Sequence, residues 1–122
     1  MNETTFHQDL KMHIDRYVHG VYRVSRGFPK EEMYGATSQL RRASLSVALN
    51  YVEGYARGRD AVRKNFLEIA YGSLKESRYL LEFARVEGWL DGEQEEELQK
   101  LADKIGAMLW STIQRLKELQ VK

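Results

Sequence analysis

A chain of 122 residues has the length of a single domain with one hydrophobic core. With 43% hydrophobic and 30% charged residues it has the composition of a folded protein, and one proline is too little turn chemistry for a many-stranded β-protein. The absence of cysteine excludes disulfides, thiolate metal sites and a cysteine nucleophile. No apolar run approaches the roughly 20 residues that cross a bilayer. Because the polar stretch from Met1 to Phe6 has no signal-peptide pattern, we expect a cytoplasmic protein that does not contact membranes.

The first helix is predicted at about residues 7–25. Apolar side chains recur there at steps of three and four, which is typical of one buried helix face: Leu10, Ile14, Tyr17, Val18, Val21 and Val24. Gly27 and Pro29 end this helix. Glu31 and Glu32 follow the proline, and acidic residues favour a helix N-terminus, so a short turn or a new helix begins here.

The second helix, at about residues 37–56, is apolar around most of its circumference. No charged residue lies between Ala43 and Val52, and the large apolar side chains of this stretch point in nearly every direction. A helix that is apolar on all sides is buried on more than one side. Since three intrachain neighbours cover only part of that surface in so small a domain, we expect the remainder to contact another subunit.

The third and fourth helices carry regular apolar patterns. Asp60 is a candidate N-cap for the third helix, at about residues 60–87. Asp91, with Gln94 three residues later, resembles a capping box and opens the fourth helix, at about residues 91–119. The apolar residues of the fourth helix recur at steps of three or four over about six turns, which predicts a bundle seam.

Four helices with short connections predict an all-α fold, one antiparallel up-down-up-down four-helix bundle over residues 1–122. Gly20, Gly72 and Gly106 lie inside helices, where each glycine costs about 1 kcal/mol relative to alanine. Close approach of a neighbouring helix explains them as well as simple tolerance does.

The net charge of +1 hides an uneven distribution. Residues 36–64 carry six basic side chains against two acids, giving +4, whereas residues 87–104 carry two lysines against seven acids, giving −5. This asymmetry indicates two surfaces of different electrostatic character, of which the basic one suits an anionic partner. The alternative interpretation is that both are solvated helix faces.

Three motifs in the chain are distinctive. They are the runs from Gly27 to Ala43, from Asn50 to Arg57, and from Phe66 to Leu81 with its Tyr-Gly-Ser-Leu-Lys-Glu core. In this order they resemble the bacterial four-helix-bundle family encoded by intervening sequences of large-subunit ribosomal RNA genes, which is sometimes labelled as a ribosomal protein. The resemblance extends from about Phe6 to Leu116, and the fold is also similar to the accessory variability determinant of diversity-generating retroelements.

This resemblance implies a four-helix bundle assembled as a ring, typically a homopentamer, with no established catalytic activity. It also implies association with nucleic acid, because the retroelement relatives bind nucleic acid and a reverse transcriptase. One departure lies at Ala48, where relatives commonly carry a proline within the second helix. Without that proline we expect a straighter helix, which leaves the angle between subunits, and with it the ring size, open.

A polar stripe on the second helix is the first candidate site. Steps of three or four place Gln39, Arg42, Ser46, Asn50 and Glu53 on one side of the helix. The stripe is either a seam between subunits, or the lining of a central opening, or else the solvent face of an amphipathic helix, and the uncharged surroundings of Ser46 and Asn50 favour the seam. The predicted subunit interface combines stripe residues with neighbouring apolar ones: Gln39, Ser46, Leu49, Asn50, Val52 and Glu53.

A set of basic residues is the second candidate site, with RNA or DNA as its predicted partner: Arg41, Arg42, Arg57, Arg59, Arg63 and Lys64. The last four cluster where the second helix ends and the third begins, and arginines beside the free N–H groups of a helix start suit a phosphate. Copied around a ring, they would form a large electropositive surface with salt-sensitive binding. Against this, Asp60 is placed to cap the same N–H groups, and the chain has no glycine-rich phosphate loop.

The sequence contains no catalytic constellation. His7, His13 and His19 are six residues apart and face different directions, so they cannot form an i, i+4 metal pair. There is also no Glu-x-x-His pair, dinucleotide-binding fingerprint or Gly-x-Ser-x-Gly elbow. We therefore expect a non-enzymatic protein without cofactor or metal.

Two functions remain in view. The first is a homo-oligomer, pentameric by resemblance, that associates with nucleic acid, and its Tyr51, Tyr55, Tyr71 and Tyr79 have the chemistry to stack bases. At helical spacing, however, tyrosines are more typical of a core or an interface. The second is a protein adaptor or scaffold without nucleic-acid binding, whose acidic segment 93–97 and apolar second helix hold protein partners.

Overall fold

Four α-helices and one short 3-10 helix make up the computed structural model, which describes residues 2–121 and has no strand among them. The elements in chain order are α1 (Glu3–Ser25), the 3-10 helix (Lys30–Glu32), α2 (Ala36–Ala56), α3 (Asp60–Val86) and α4 (Gly92–Val121). The predicted bounds agree to within two residues at every helix end except the start of α1, which lies four residues earlier than predicted. The turn predicted behind Pro29 is confirmed as the 3-10 helix.

The helices pack as the predicted up-down-up-down bundle. α1 and α3 each contact both α2 and α4, whereas the backbones of the diagonal pairs stay apart within residues 2–121. The core runs the full length of the bundle and consists of leucine, isoleucine, valine and aromatic side chains from all four helices. Among its largest fully buried members are Leu10, Ile14, Tyr17, Leu40, Leu67, Leu74, Leu81, Ile105 and Leu109.

Side-chain caps fix the starts of α1 and α4. The Asn2 side chain accepts a hydrogen bond from the backbone N–H of Thr5 at 2.8 Å, which explains why α1 begins before the apolar pattern does. At α4, the Gln94 N–H donates to Asp91 Oδ1 at 2.8 Å and the Asp91 N–H donates to Gln94 Oε1 at 2.9 Å. The predicted capping box is thereby confirmed.

The two ends of α3 differ. The prediction of Asp60 as N-cap is wrong: the extended residue before the helix is Arg59, whose side chain makes no capping bond, and Asp60 is the first helical residue. There the carboxylate still favours the positive end of the helix dipole. At the other end Gly88 has φ +82°, its N–H donates to Arg85 O, and the Trp89 N–H donates to Ala84 O. This is a Schellman stop, which favours glycine.

The two explanations for a glycine inside a helix, close approach of a neighbouring helix and simple tolerance, apply to different glycines of this chain. A Cβ on Gly20 would lie 2.6 Å from Leu98 Cδ2, so this glycine permits close approach of α1 and α4. A Cβ on Gly106 would make ordinary contact with Leu74, and one on Gly72 would meet open space. Close approach therefore accounts for Gly20, and tolerance accounts for Gly72.

One buried hydrogen bond crosses the bundle diagonal. The hydroxyl groups of Tyr17 on α1 and Ser77 on α3 lie 2.7 Å apart, and the Ser77 hydroxyl also contacts the Leu74 carbonyl at 2.8 Å. Both side chains are completely buried. Burial raises the pKa of Tyr17 to about 12, since a phenolate would have to lose its hydration in the core.

The free energy of unfolding should fall between pH 10 and about pH 12. Over that range the unfolded chain loses a tyrosine proton that folded Tyr17 retains, so the loss reaches about 2–3 kcal/mol for this residue. Tyr17→Phe should cost about 1 kcal/mol near neutral pH and flatten that fall. Urea unfolding of both proteins across this range tests the prediction, with exposed Tyr79→Phe as control. Parallel pH curves for the wild type and Tyr17→Phe would contradict it.

Candidate subunit interface and basic junction

The outer side of α2 is apolar and uncovered. Leu40, Val47 and Tyr51 point into the core, and the steps of three and four between Leu45, Leu49 and Val52 place this second row on the opposite side. Leu49 is 58% exposed and Val52 is 53% exposed. The prediction that intrachain neighbours leave part of α2 uncovered is confirmed, and Leu45, Leu49 and Val52 are hereafter the α2 face.

The polar stripe beside the α2 face lies along the groove between α2 and α3. The hydroxyl groups of Ser46 and Ser73 lie 2.8 Å apart across this groove, and Asn50 Nδ2 donates to both the carbonyl and the hydroxyl of Ser46 at 2.9 Å. Ser46 therefore meets protein as predicted, but that protein is α3 of the same chain, whereas Asn50 bonds to Ser46 within α2. The contact between Ser46 and Ser73 fixes the register of the two helices.

The remaining members of the stripe are exposed. Gln39 and Arg42 line the open part of the groove, together with Glu76 of α3. Glu53 accepts a hydrogen bond from Arg57 at 2.9 Å one turn later on α2. Of the predicted interface residues, Leu49, Val52, Gln39 and Glu53 are therefore accessible to a partner, whereas Ser46 and Asn50 are already used within the subunit.

A second apolar row lies on the outer side of α3, and the sequence analysis did not identify it. Tyr79 and Val86 are 65% and 68% exposed, and Phe83 between them is exposed with its ring edge against Trp89. Steps of four and three join the three residues, hereafter the α3 face. The sequence does contain a signal for this face, because its row is offset around the helix from the row that packs into the core. The core row consists of Leu74, Ser77, Leu81 and Ala84.

The six predicted basic residues do not form one surface. Arg41 turns toward α1, where its Nε donates to Ser25 Oγ at 2.8 Å and its guanidinium lies 4.9 Å from the Tyr22 ring centroid. Arg42 lies on the opposite flank of α2, by the groove. Both are about 22 Å along the helix axis from Arg57, so neither belongs to the cluster where α2 meets α3.

Within that cluster Arg63 has a structural role. Its Nε donates to the Gly54 carbonyl at 3.2 Å and its Nη2 to the Arg57 carbonyl at 2.9 Å, while the guanidinium lies 4.9 Å from the Tyr55 ring centroid. These carbonyls belong to the last turn of α2 and its C-cap, where the backbone supplies one donor, the Arg57 N–H, to the Gly54 carbonyl at 3.2 Å. The Arg63 side chain therefore closes the end of α2, which reduces the donors it can offer to an anion.

The other three cations of the cluster differ in exposure. Lys64 lies near Glu68 at 3.5 Å and its side chain is largely covered. Arg57 pairs with Glu53 at an exposed position, where such a pair adds little stability and opens readily. The Arg59 side chain is exposed and makes no ion pair or hydrogen bond within the described chain. Arg57 and Arg59, hereafter the basic junction, are the cations most accessible to an anionic partner.

The fold brings further basic residues to the same end of the bundle. In an up-down-up-down bundle the end of α4 lies beside the α2–α3 connection. Arg115 and Lys117 of α4 are exposed there, with Arg115 3.8 Å from Glu3 and Lys117 over the Trp110 ring. Neither residue could be assigned to this end from sequence, because both are distant from the cluster along the chain.

Three of the four tyrosines considered for base stacking are packing residues. Tyr51 is buried and its hydroxyl donates to the His7 carbonyl at 3.1 Å, Tyr55 packs on the His7 ring at 4.0 Å, and Tyr71 packs on Trp110 at 5.5 Å. Burial raises the pKa of Tyr51 to about 12 and lowers the pKa of His7. Only Tyr79 among the four is freely exposed, and it lies on the α3 face.

The acidic segment at the start of α4 is not uniformly solvated. Glu95 is turned toward α3, where it pairs with Arg85. Glu93, Glu96 and Glu97 are exposed. Across the described residues no group of three histidine or carboxylate side chains is arranged to hold a metal ion, and no helix there is long and apolar enough to span a bilayer.

Arg63→Ala should lower the free energy of unfolding by about 1–2 kcal/mol, because the Arg57 carbonyl loses its side-chain donor and the Gly54 carbonyl loses one of its two donors. The matched control is Arg59→Ala, which removes the same charge from an exposed position and should change stability by less than about 0.5 kcal/mol. Chemical unfolding followed by circular dichroism measures both. Equal stabilities for the two variants would show that Arg63 does not hold the end of α2.

This bundle is similar to a known protein family and to a solved structure. The sequence model of the 23S rRNA-intervening sequence protein family matches residues 11–111. A solved protein of unknown function from the S23 ribosomal protein family of Bacteroides thetaiotaomicron has a TM-score of 0.79 and 21% identity, covering 85% of this chain and 97% of that chain. At this identity the likeness shows the fold alone, and no curated protein matches significantly. Because the family match spans most of the chain, the protein belongs to the 23S rRNA-intervening sequence protein family.

Proposed function

We propose that this protein is a non-enzymatic homo-oligomer that associates with nucleic acid through its basic junction. The observation that carries the proposal is the α2 face, which consists of three large aliphatic side chains exposed to solvent on the side of α2 opposite the core. Single exposed leucines are common on monomers, but a contiguous apolar row beside a polar groove is typical of a protein–protein contact. A pentameric ring is the assembly that the family resemblance implies.

The free energy of association comes mainly from the α2 face. Full burial of a leucine or valine side chain contributes about 1.5–3 kcal/mol, so covering three half-exposed side chains in each subunit offsets a substantial part of the cost of association. The exposed polar residues at its edge, Gln39, Arg42 and Glu53, fit the rim of such a contact. Ser46 and Asn50 support it indirectly, since their bonds to each other and to Ser73 hold α2 in register on α3.

The nucleic-acid part of the proposal is supported by where the accessible cations lie. Arg57 and Arg59 are joined at one end of the bundle by Arg115 and Lys117, so each subunit presents four exposed cations there. Arginine binds phosphate through paired N–H donors. In an oligomer this set is repeated in every subunit, and affinity for a phosphate backbone rises with the number of phosphates neutralised.

A protein adaptor is the second candidate function, and it is favoured by a different observation. Glu93, Glu96 and Glu97 lie exposed at the start of α4, on the opposite end of the bundle from the basic junction. An acidic surface of this kind suits a basic protein partner through electrostatic complementarity. An adaptor of this type would co-purify with protein and would be indifferent to added nucleic acid.

Leu49→Arg should dissociate the oligomer while leaving the helices intact. A guanidinium at the centre of the α2 face is costly to bury in the subunit contact, but it is readily hydrated in a free subunit because the position is 58% exposed. Size-exclusion chromatography with light scattering should show a loss of mass, and circular dichroism should show unchanged helix content. Met12→Arg, at an exposed apolar position on α1, is the matched control and should keep the native mass. Retention of mass by Leu49→Arg would exclude the α2 face as the interface.

RNA or DNA should bind with an affinity that falls steeply as salt concentration rises, because bound phosphates release counterions. Replacing both Arg57 and Arg59 by alanine should weaken binding and reduce the slope of log affinity against log salt. Gel-shift titrations at several salt concentrations measure both quantities. The control replaces Arg16 and Arg23, two exposed arginines of α1, by alanine and removes the same net charge. Failure of the wild-type protein to bind at low salt, or equal weakening by both double variants, would refute the role of the basic junction.

A further inference from the structure

Ring closure places a condition on the subunit surface. A ring of more than two identical subunits joins unlike surfaces, because each subunit uses one patch toward its left neighbour and another toward its right. The α2 face supplies only one of these patches. If the proposed oligomer is a ring, the same subunit must present a second patch that is complementary to the α2 face.

We propose that the second patch is the α3 face, so that Tyr79, Phe83 and Val86 of one subunit receive Leu45, Leu49 and Val52 of the next. This inference rests on the proposed function and names the partner surface within it. Tyr79 and Val86 are each about two-thirds exposed, at 65% and 68%, although both carry large side chains on a long, regular helix. Exposed aromatic side chains such as Tyr79 are enriched where subunits meet.

The two faces have the same spacing. Each is a single row of three side chains separated by steps of four and three along a helix. Such rows form the ridges that fit into grooves when two helices pack together. The α2 row consists of aliphatic side chains and the α3 row is mainly aromatic, so the flat rings of Tyr79 and Phe83 provide surfaces on which leucine side chains can pack.

The charges around the two faces are complementary. Arg42 borders the α2 face and makes no ion pair within residues 2–121, whereas the other charges nearby, Glu53 and Arg57, neutralise each other. Around the α3 face the exposed acids Glu82 and Glu87 make no ion pair among the described residues, and the nearest cation of the same row, Lys75, lies over the Tyr71 ring. Two acids against one lysine leave this edge net negative, so it suits the positive edge at Arg42 when the α2 face of one copy covers the α3 face of another.

The positions of the faces set the orientation of the bundle in a closed ring. Since Ser46 lies opposite Ser73, Leu49 is level with Ala70 on the antiparallel helix. Phe83, the centre of the α3 face, is thirteen residues farther along α3, or about 20 Å along the bundle axis. Neighbouring subunits of a ring are related by rotation about the ring axis, which leaves the position of each patch along that axis unchanged. Two patches that contact each other must therefore lie at the same position along the ring axis. The bundle axis is therefore inclined to the ring axis.

A mixing experiment tests this pairing directly. Leu49→Arg disables the α2 face, Tyr79→Arg disables the α3 face, and each variant is purified separately with its helix content checked by circular dichroism. Each variant alone should be monomeric, because every contact in a homogeneous ring needs both faces. Mixed in equal amounts, the two variants retain one intact pair of faces, so they should form a one-to-one heterodimer with twice the monomer mass. Native mass spectrometry distinguishes it from either homodimer.

The outcomes separate the inference from the proposed function. A wild-type chain that is monomeric in dilute solution overturns both. If Leu49→Arg dissociates while Tyr79→Arg keeps the native mass, the α2 face pairs with another surface, so the inference fails and the oligomer stands. Two monomeric variants that fail to combine on mixing also overturn the inference. Val86→Arg, at the other end of the α3 face, replaces Tyr79→Arg if that variant loses helix content, and it should behave identically.

Discussion

The close antiparallel packing of α2 on α3 is the constraint on which the surface of this protein depends. Gly54 permits it at one end, since a Cβ there would lie only 3.3 Å from Phe66 Cβ and 3.4 Å from the Arg63 carbonyl. The contact between Ser46 and Ser73 fixes the register near the middle. Once one side of α2 faces the core and one flank faces α3, the row centred on Leu49 has no intrachain surface left to cover it.

The same packing decides which cations remain accessible. Because α3 turns back directly beside the last turn of α2, Arg63 reaches the carbonyls of Gly54 and Arg57 and becomes part of the fold. Arg41 is used in a similar way, as its hydrogen bond to Ser25 ties α2 to α1. A count of basic residues in sequence therefore overstates the charge available to an anion, and the more useful quantity is the number of guanidinium groups without carbonyl or hydroxyl partners.

Local sequence signals predicted most of the fold, because helix ends and buried rows depend on residues a few positions apart. The capping box at Asp91 and Gln94 and the end of α1 just before Gly27 and Pro29 are examples. What the sequence could not predict depends on register between helices: the bond from Tyr17 to Ser77, the contact of Ser46 with Ser73, and the structural use of Arg63. The α3 face was not predicted for a related reason. An apolar row on a helix can be identified as exposed only when the other row, which packs into the core, is known.

Ring size, in the proposed assembly, follows from the angle between the two faces rather than from the straightness of α2 alone. Ala48, the position at which the family resemblance implies a proline, packs against the core in an α2 helix that is continuous from Ala36 to Ala56. The two faces lie on neighbouring helices held together by their close antiparallel packing, so a change in how α2 crosses α3 rotates one face relative to the other. Substitutions at Gly54 or Ser73 would therefore alter the geometry of the assembly without touching either face, because they act on the contact that sets this angle.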